Sequence, residues 1–243
     1  MRKFDMLCVL GRGIEKHSDG IWHPTGMVER LTENNQHSGI PKLHRINDPN
    51  EEVVIAGSWL NVMATRIVYL DMFKDLIVFV TDLITSLPTL LVFAGGRPDY
   101  LTNEPENISE GRIMYKAFCE GGFSLDSMTQ VIFMDKNKNT FDDLFEIMKL
   151  AHERGAEKIG IVSVLVHLAR CRKILEMIQE SEPAYGSHNH EVEFLASEMI
   201  IMERHPEASF RFHDLLISGA YCRTAERERQ GIEDLKSGKY RFG

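Results

Sequence analysis

The chain has 243 residues, with 28 lysines and arginines against 36 aspartates and glutamates, a formal net charge of −8 at pH 7. Hydrophobic residues make up 43% and charged residues 26%, the composition of an ordinary globular protein with ample material for a core. The acidic balance argues against a general nucleic-acid scaffold, which needs clustered lysine and arginine, but leaves room for a small anion held by a few local arginines.

No apolar run approaches the roughly 20 residues that span a bilayer. The longest, 76–93, is broken by Asp82 and Pro88 and reads as a buried helix followed by a strand. The amino terminus lacks the long apolar stretch and small-residue cleavage site of a secretory signal, so a cytoplasmic location is expected. The four cysteines, Cys8, Cys119, Cys171 and Cys222, are widely separated and form no Cys-x-x-Cys pair. They read as small buried hydrophobes rather than as a disulfide framework.

Residues 4–10 form the first strand-like apolar run and end in Gly11-Arg12-Gly13. The following segment, 14–50, carries His17, His23, His37 and His44 with three glycines and three prolines, and little regular pattern. The histidine spacing matches no compact metal motif and no cysteine joins them, so a solvated loop or insertion is expected and no metal. Residues 51–57 suggest a short strand. From Trp59 to Phe73 apolar residues recur at helical spacing, with Arg66 on that helix. A second helical stretch, 74–86, precedes a strand at 89–94, which ends in Gly95-Gly96-Arg97.

A helix is expected over 108–120, with Glu110 in its first turn, where the helix dipole favours a carboxylate. The strand at 130–134 ends in Asp135. Thr140 is the expected N-cap of the next helix, with Asp143 three residues on. Gly155 closes that helix, and 158–164 returns as a strand. A helix from about His167 to Gln179 buries Leu168, Cys171, Leu175 and Ile178, so that neither His167 nor Arg170 is needed for packing. A further helix is expected over 191–204, then an apolar segment at 210–217 of undecided type and a charged tail.

Four strand runs, each ending in a polar or glycine-rich cluster that opens onto an amphipathic helix, imply an α/β protein. The expected architecture is a Rossmann-like three-layer fold: a central parallel sheet, helices on both faces and a helical C-terminal extension. Residues 1–180 form the α/β domain, and 181–243 the extension packed on it. Ligands of such sheets sit beyond the carboxyl ends of the strands, where all four clusters fall.

The clusters suggest anion binding. Glycines in Gly11-Arg12-Gly13 let backbone amides approach a ligand, and Gly95-Gly96-Arg97 repeats the arrangement. Lys16 stands where a dinucleotide fingerprint needs its third glycine, so that motif is absent. His167 and Arg170, three apart, share one helix face near its start, where a cation and an imidazole suit a phosphate or acid–base site.

The order of these motifs resembles the SanA/YdcF/ElyC-like family. Its elements correspond to Gly11 and Gly13, the helix arginine Arg66, Gly95-Gly96, Ser109-Glu110, Asn139-Thr140, and His167 with Arg170. Asp143 and Val166 depart from its pattern, and Ser163 stands one residue farther from the histidine. The resemblance implies a nucleotide-like ligand such as S-adenosylmethionine. The candidate catalytic residues are therefore His167, Glu110 and Asp142, the carboxylates orienting the imidazole or a substrate hydroxyl. Gly11, Arg12, Gly13, Arg66, Gly95, Gly96, Arg97, Asn139, Thr140, Ser163 and Arg170 are the candidate ligand contacts. Three functions are weighed: an enzyme acting on a phosphorylated or nucleotide-like small molecule, a non-catalytic binding protein or sensor for the same anionic ligand, and a methyltransferase-like use of S-adenosylmethionine, which lacks the support of a G-x-G-x-G loop.

Overall fold

The computed structural model describes residues 3–16, 20–25, 57–73, 89–97, 101, 104–105, 107–185, 190–206, 212, 216 and 219–239. In chain order the elements are β1 (Met6–Leu10), β2 (Ile14–Lys16), β3 (Trp22–Pro24), α1 (Ser58–Phe73), β4 (Leu90–Ala94), α2 (Glu110–Cys119) and β5 (Gln130–Met134). They continue with α3 (Thr140–Arg154), β6 (Lys158–Ser163), α4 (Leu165–Ser181), β7 (Glu191–Ala196), α5 (Ser197–Arg204) and α6 (Gly219–Lys236).

Five strands form one sheet in the order β5-β4-β1-β6-β7, and every neighbouring pair is parallel. The chain starts at the centre, runs out through β4 to β5, then crosses to β6 and β7. The direction of strand progression therefore reverses between β1 and β6, the position beyond whose carboxyl ends open parallel sheets bind their ligands. Register puts Val9 beside both Phe93 and Val162.

Alternation along the central strands builds two cores. Leu7, Val9, Leu91, Phe93 and Val162 face a layer that includes Leu60, Met114, Phe118 and Ile201, contributed by α1, α2 and α5. Met6, Cys8, Leu10, Val92 and Ile161 face the opposite layer, where Leu144, Ile147, Cys171, Ile174 and Leu235 come from α3, α4 and α6. Both faces of the sheet are thus covered, which is why its strands read as continuous apolar runs. The chain has a Rossmann-like three-layer α/β fold. Among the described residues no helix is long and apolar enough to cross a membrane.

Two expectations need correction. The helix expected over 191–204 is half strand: Glu191–Ala196 pairs with β6 along its whole length, and only Ser197–Arg204 is helical. Tertiary pairing decides this segment, because Val192, Phe194 and Ala196 alternate with charged Glu191 and Glu193 at an edge. The loop expected over 14–50 begins instead as an antiparallel β2–β3 hairpin, in which Ile14 pairs with Pro24 and Lys16 with Trp22. The strand expected at 51–57 lies outside the described residues except for Gly57. The helix at 74–86 and most of the segment 210–217 also lie outside them.

The strand ends are tied to one another. Gly11 donates its amide to Ala94 O at 2.7 Å, extending the β1–β4 ladder by one residue. Asn61 on α1 donates to Leu10 O at 2.8 Å and accepts from Ser197 Oγ at 2.5 Å, joining α1 and α5 at the end of β1. Gly96 lies so close to the loop after β5 that a Cβ there would meet Asn137 O at 1.6 Å. Gly96→Ala is therefore expected to cost about 1–3 kcal/mol through overpacking. That corresponds to roughly 2–12 °C of melting temperature for a domain of this size, readable by differential scanning fluorimetry.

Candidate functional site

Two glycine turns and one carboxylate build the first wall of the site. Helix α2 starts on the turn after β4: the Glu110 amide donates to Gly96 O at 3.0 Å and the Gly111 amide to Gly95 O at 2.9 Å. Ser109 is its N-cap, accepting from the Arg112 amide, and its hydroxyl donates to Asp135 Oδ1 at 2.5 Å, which pins the helix start to the end of β5. The Glu110 carboxylate then folds back across both turns. A Cβ on Gly11 would lie 2.1 Å from Glu110 Oε2 and would push the carboxylate aside, while one on Gly95, at φ +153°, would lie 2.8 Å from Glu110 Cβ, so Gly95 needs glycine and Gly11 leaves room for the carboxylate. Gly13, at φ +104°, donates its amide to the same carboxylate. Burial holds the Glu110 pKa above its usual value, with the Gly13 amide and Arg12 opposing.

The centre of the site is His167, 1% exposed in the first turn of α4. Its Nδ1 lies 3.0 Å from Glu228 Oε2, and its Nε2 lies 3.4 Å from Thr140 Oγ1. Glu228 sits on α6 and is also buried. It accepts from Arg12 through Nη1 at 2.9 Å and pairs with Arg170 Nε at 2.9 Å. Burial alone would raise the Glu228 pKa, but His167, Arg12 and Arg170 hold it down at about 2. Burial, reinforced by the Arg12 charge, pulls His167 down to about 4 despite the Glu228 hydrogen bond. The imidazole is therefore neutral at pH 7. Arg12 Nη1 at 3.2 Å and Arg170 Nη2 at 3.4 Å also face Nδ1, but Glu228 is nearer, and a carboxylate only accepts; the tautomer that makes this contact a hydrogen bond carries its proton on Nδ1 and turns the Nε2 lone pair to the Thr140 hydroxyl.

Two further acids border this centre. Asp143, beside Asn137 Nδ2 at 2.9 Å, is pushed up to about 7 by burial, with Glu110 and Asp142 adding to the effect. Glu198, at the start of α5, accepts from the Leu165 amide at 2.8 Å and is likewise pushed up to about 7 by burial. Glu198 Oε1, Ser163 Oγ and Arg12 Nε are buried without a hydrogen-bond partner among the described residues. All three belong to segments at the carboxyl ends of β7, β6 and β1. Native proteins seldom leave such atoms unsatisfied, so they mark where a ligand or water would complete the set.

The structure gathers Gly11, Arg12, Gly13, Gly95, Gly96, Glu110, Asn139, Thr140, Ser163, His167 and Arg170 onto one edge of the sheet. It assigns several of them tasks the sequence did not indicate. The carboxylate that orients His167 is Glu228, not Glu110 or Asp142. Asp142 Oδ2 accepts from the Lys138 amide at 3.0 Å and from Asn139 Nδ2 at 3.3 Å. Asn139, rather than Thr140, is the N-cap of α3, with Oδ1 accepting from the Phe141 and Asp142 amides. Arg97 donates to the carbonyls of Pro105, Ile108, Leu101 and Glu104, and so staples its own loop. Arg66 donates to Phe118 O, Ala117 O and Glu120 O. These lie at the far end of α2 from Glu110, about one helix length of roughly 15 Å away.

Glu228 lay hidden in a tail rich in alternating charges. One signal was present: Tyr221, Glu228 and Leu235 follow one another at seven-residue spacing and are all buried. A glutamate on an otherwise apolar helical stripe calls for a buried partner. Gly231 completes the fit, since a Cβ there would lie 3.1 Å from Arg170 Cδ.

No protein-family model, curated protein or solved structure matches the chain. Among the described residues no three His, Cys, Asp or Glu side chains come together as a metal site.

The burial of His167 overturns the expectation that it is dispensable for packing. Removing it strips a buried carboxylate of a donor, so His167→Ala is expected to cost about 1–3 kcal/mol. The cost should depend on pH. A histidine whose pKa falls from 6.5 to about 4 on folding contributes stability that is present above 6.5 and is lost as pH drops towards 4. In urea titrations the deficit of the non-titrating His167→Gln variant relative to wild type should therefore shrink between pH 7.5 and pH 4.5. An equal or larger deficit at pH 4.5 would contradict the neutral assignment.

Proposed function

We propose that the protein binds and acts on a phosphorylated or nucleotide-like small molecule at the carboxyl edge of its sheet, with His167 as general acid–base and Glu228 as the residue that positions it. The supporting observation is a neutral, buried imidazole, bonded to a carboxylate through Nδ1 and facing a hydroxyl through Nε2. This is the arrangement of a base held in one tautomer by an acidic partner.

Ligand charge enters through the arginines. Arg12 and Arg170 both pair with Glu228 at the sheet edge where Ser163 Oγ, Glu198 Oε1 and Arg12 Nε have no hydrogen-bond partner among the described residues. An anion paired with them would also relieve the Arg12 charge that helps to keep the His167 pKa at about 4. The imidazole would then rise towards the range where it takes protons efficiently, so that the base is strengthened when an anionic ligand is in place. The motif order resembling the SanA/YdcF/ElyC-like family supports a nucleotide-like ligand and keeps S-adenosylmethionine among the candidates.

A thermal-shift screen over nucleotides, sugar phosphates and S-adenosylmethionine tests this reading. A ligand at 100-fold its Kd stabilises by about 2.7 kcal/mol, and Arg170→Ala should weaken it by about 1.5–3 kcal/mol. Failure of the whole panel to stabilise the protein would remove the proposal. Glu228→Gln separates catalysis from plain binding. If Glu228 positions the base, turnover of the recruited ligand falls, and the acid limb of the pH profile moves to lower pH because that carboxylate raises the imidazole pKa. A rise in turnover would instead mean that Glu228 fills the place of the ligand's own anion.

A further inference from the structure

His167 is 1% exposed and Glu228 5% exposed, so neither is placed to bond covalently to a substrate, and His167 can serve only to exchange protons through its Nε2. Thr140 is half-buried, and its hydroxyl reaches the His167 Nε2 at 3.4 Å. That hydroxyl is not spent on the helix end, because Asn139 Oδ1 already takes the Phe141 and Asp142 amides. We propose that Thr140 is a nucleophile activated by the His167–Glu228 pair, and that the substrate is a carboxylic ester, with the anionic portion of the molecule held by Arg12 and Arg170.

This proposal rests on His167 acting as a base and adds the reacting atom and the reaction class. Three elements supply three roles in the order of a hydroxyl–imidazole–carboxylate relay: Thr140 opens α3, His167 lies on α4 and Glu228 on α6. Such a relay is recognised by geometry and not by chain order, and its contacts are often loose before substrate is bound. Charge selects an acyl over a phosphoryl centre. Asp142 occupies the same first turn of α3 as Thr140 and its carboxylate would repel a phosphoryl dianion at the reacting position, Asp143, pushed up to about 7, adding to this only in its ionised form; a neutral acyl carbon meets no such repulsion.

In the first half-reaction Thr140 Oγ forms a bond to the acyl carbon while its proton passes to His167 Nε2, and Glu228 stabilises the imidazolium. The bond from the acyl carbon to the leaving alkoxy oxygen then breaks, and that oxygen takes the proton from His167. Water attacks the threonyl ester next, giving a proton to His167, which returns it to Thr140 Oγ as the acid departs. The sum is hydrolysis of one ester with no further reactant.

The experiment uses the full chain with two probes, an alkyl fluorophosphonate and p-nitrophenyl acetate. Tandem mass spectrometry of the wild type should place the phosphonyl group on Thr140, with fluoride released. Thr140→Ala should lose the label and at least ~100-fold of the ester hydrolysis at an unchanged melting temperature, while Thr140→Ser keeps both. Absence of label and hydrolysis in the wild type, label on another residue, or wild-type hydrolysis by Thr140→Ala overturns the proposal. His167→Asn separates the two levels. If it is inactive while Thr140→Ala is active, the acid–base reading stands and the nucleophile falls; if it hydrolyses at the wild-type rate, both fall.

Discussion

The buried carboxylate of Glu228 draws the site together. Desolvating a carboxylate costs several kcal/mol unless charge and hydrogen bonds repay it, and here the repayment comes from three directions: Arg12 beyond β1, and His167 and Arg170 on α4. These contacts fasten α6 to the sheet edge at the point where strand order reverses. They also determine the protonation state of the imidazole, since Glu228 takes up the Nδ1–H and burial among arginines keeps a second proton off. Removing Glu228 would leave Arg12 and Arg170 without this shared partner and His167 Nδ1 without its acceptor, so the carboxylate is the member on which the other three depend.

The fold supplies the convergence. Five parallel strands deliver five segment ends to one edge, and glycine lets those segments approach more closely than side chains would allow. Glu110 crosses Gly11 and Gly95, Asn137 lies against Gly96, and Arg170 lies against Gly231. The site is therefore assembled from backbone contacts first, with Ser109, Asn139 and Asn61 fixing the helix starts that present the reactive groups. Asp143 and Glu198, both pushed up to about 7, make its charge depend on pH near neutrality.

Much of this was legible in the residues. Strands buried on both faces announce themselves as apolar runs, so β1, β4 and β6 could be placed, as could β5, an edge strand whose residues 131–134 are still apolar, and a parallel sheet then implied a shared edge for the clusters behind them. β7 escaped because an edge strand carries Glu191 and Glu193, and its mixed pattern also suits a helix. The arginines show a different limit. Arg66, Arg97 and Arg170 look alike in sequence, yet Arg66 and Arg97 satisfy backbone carbonyls that a helix end and an irregular loop leave open, while Arg170 faces the site. Glu228 was out of reach because its partners lie 58 or more residues away in the chain and nothing local distinguishes it from its charged neighbours, apart from its place between Tyr221 and Leu235.

The account depends on one proton. Nitrogen-15 NMR of the imidazole groups, assigned to His167 by substitution, reports which ring nitrogen carries it. At pH 7 the account predicts a neutral ring with the proton on Nδ1, hydrogen-bonded to Glu228, and a bare Nε2 towards Thr140. A doubly protonated ring, or a neutral ring with its proton on Nε2, would contradict the account.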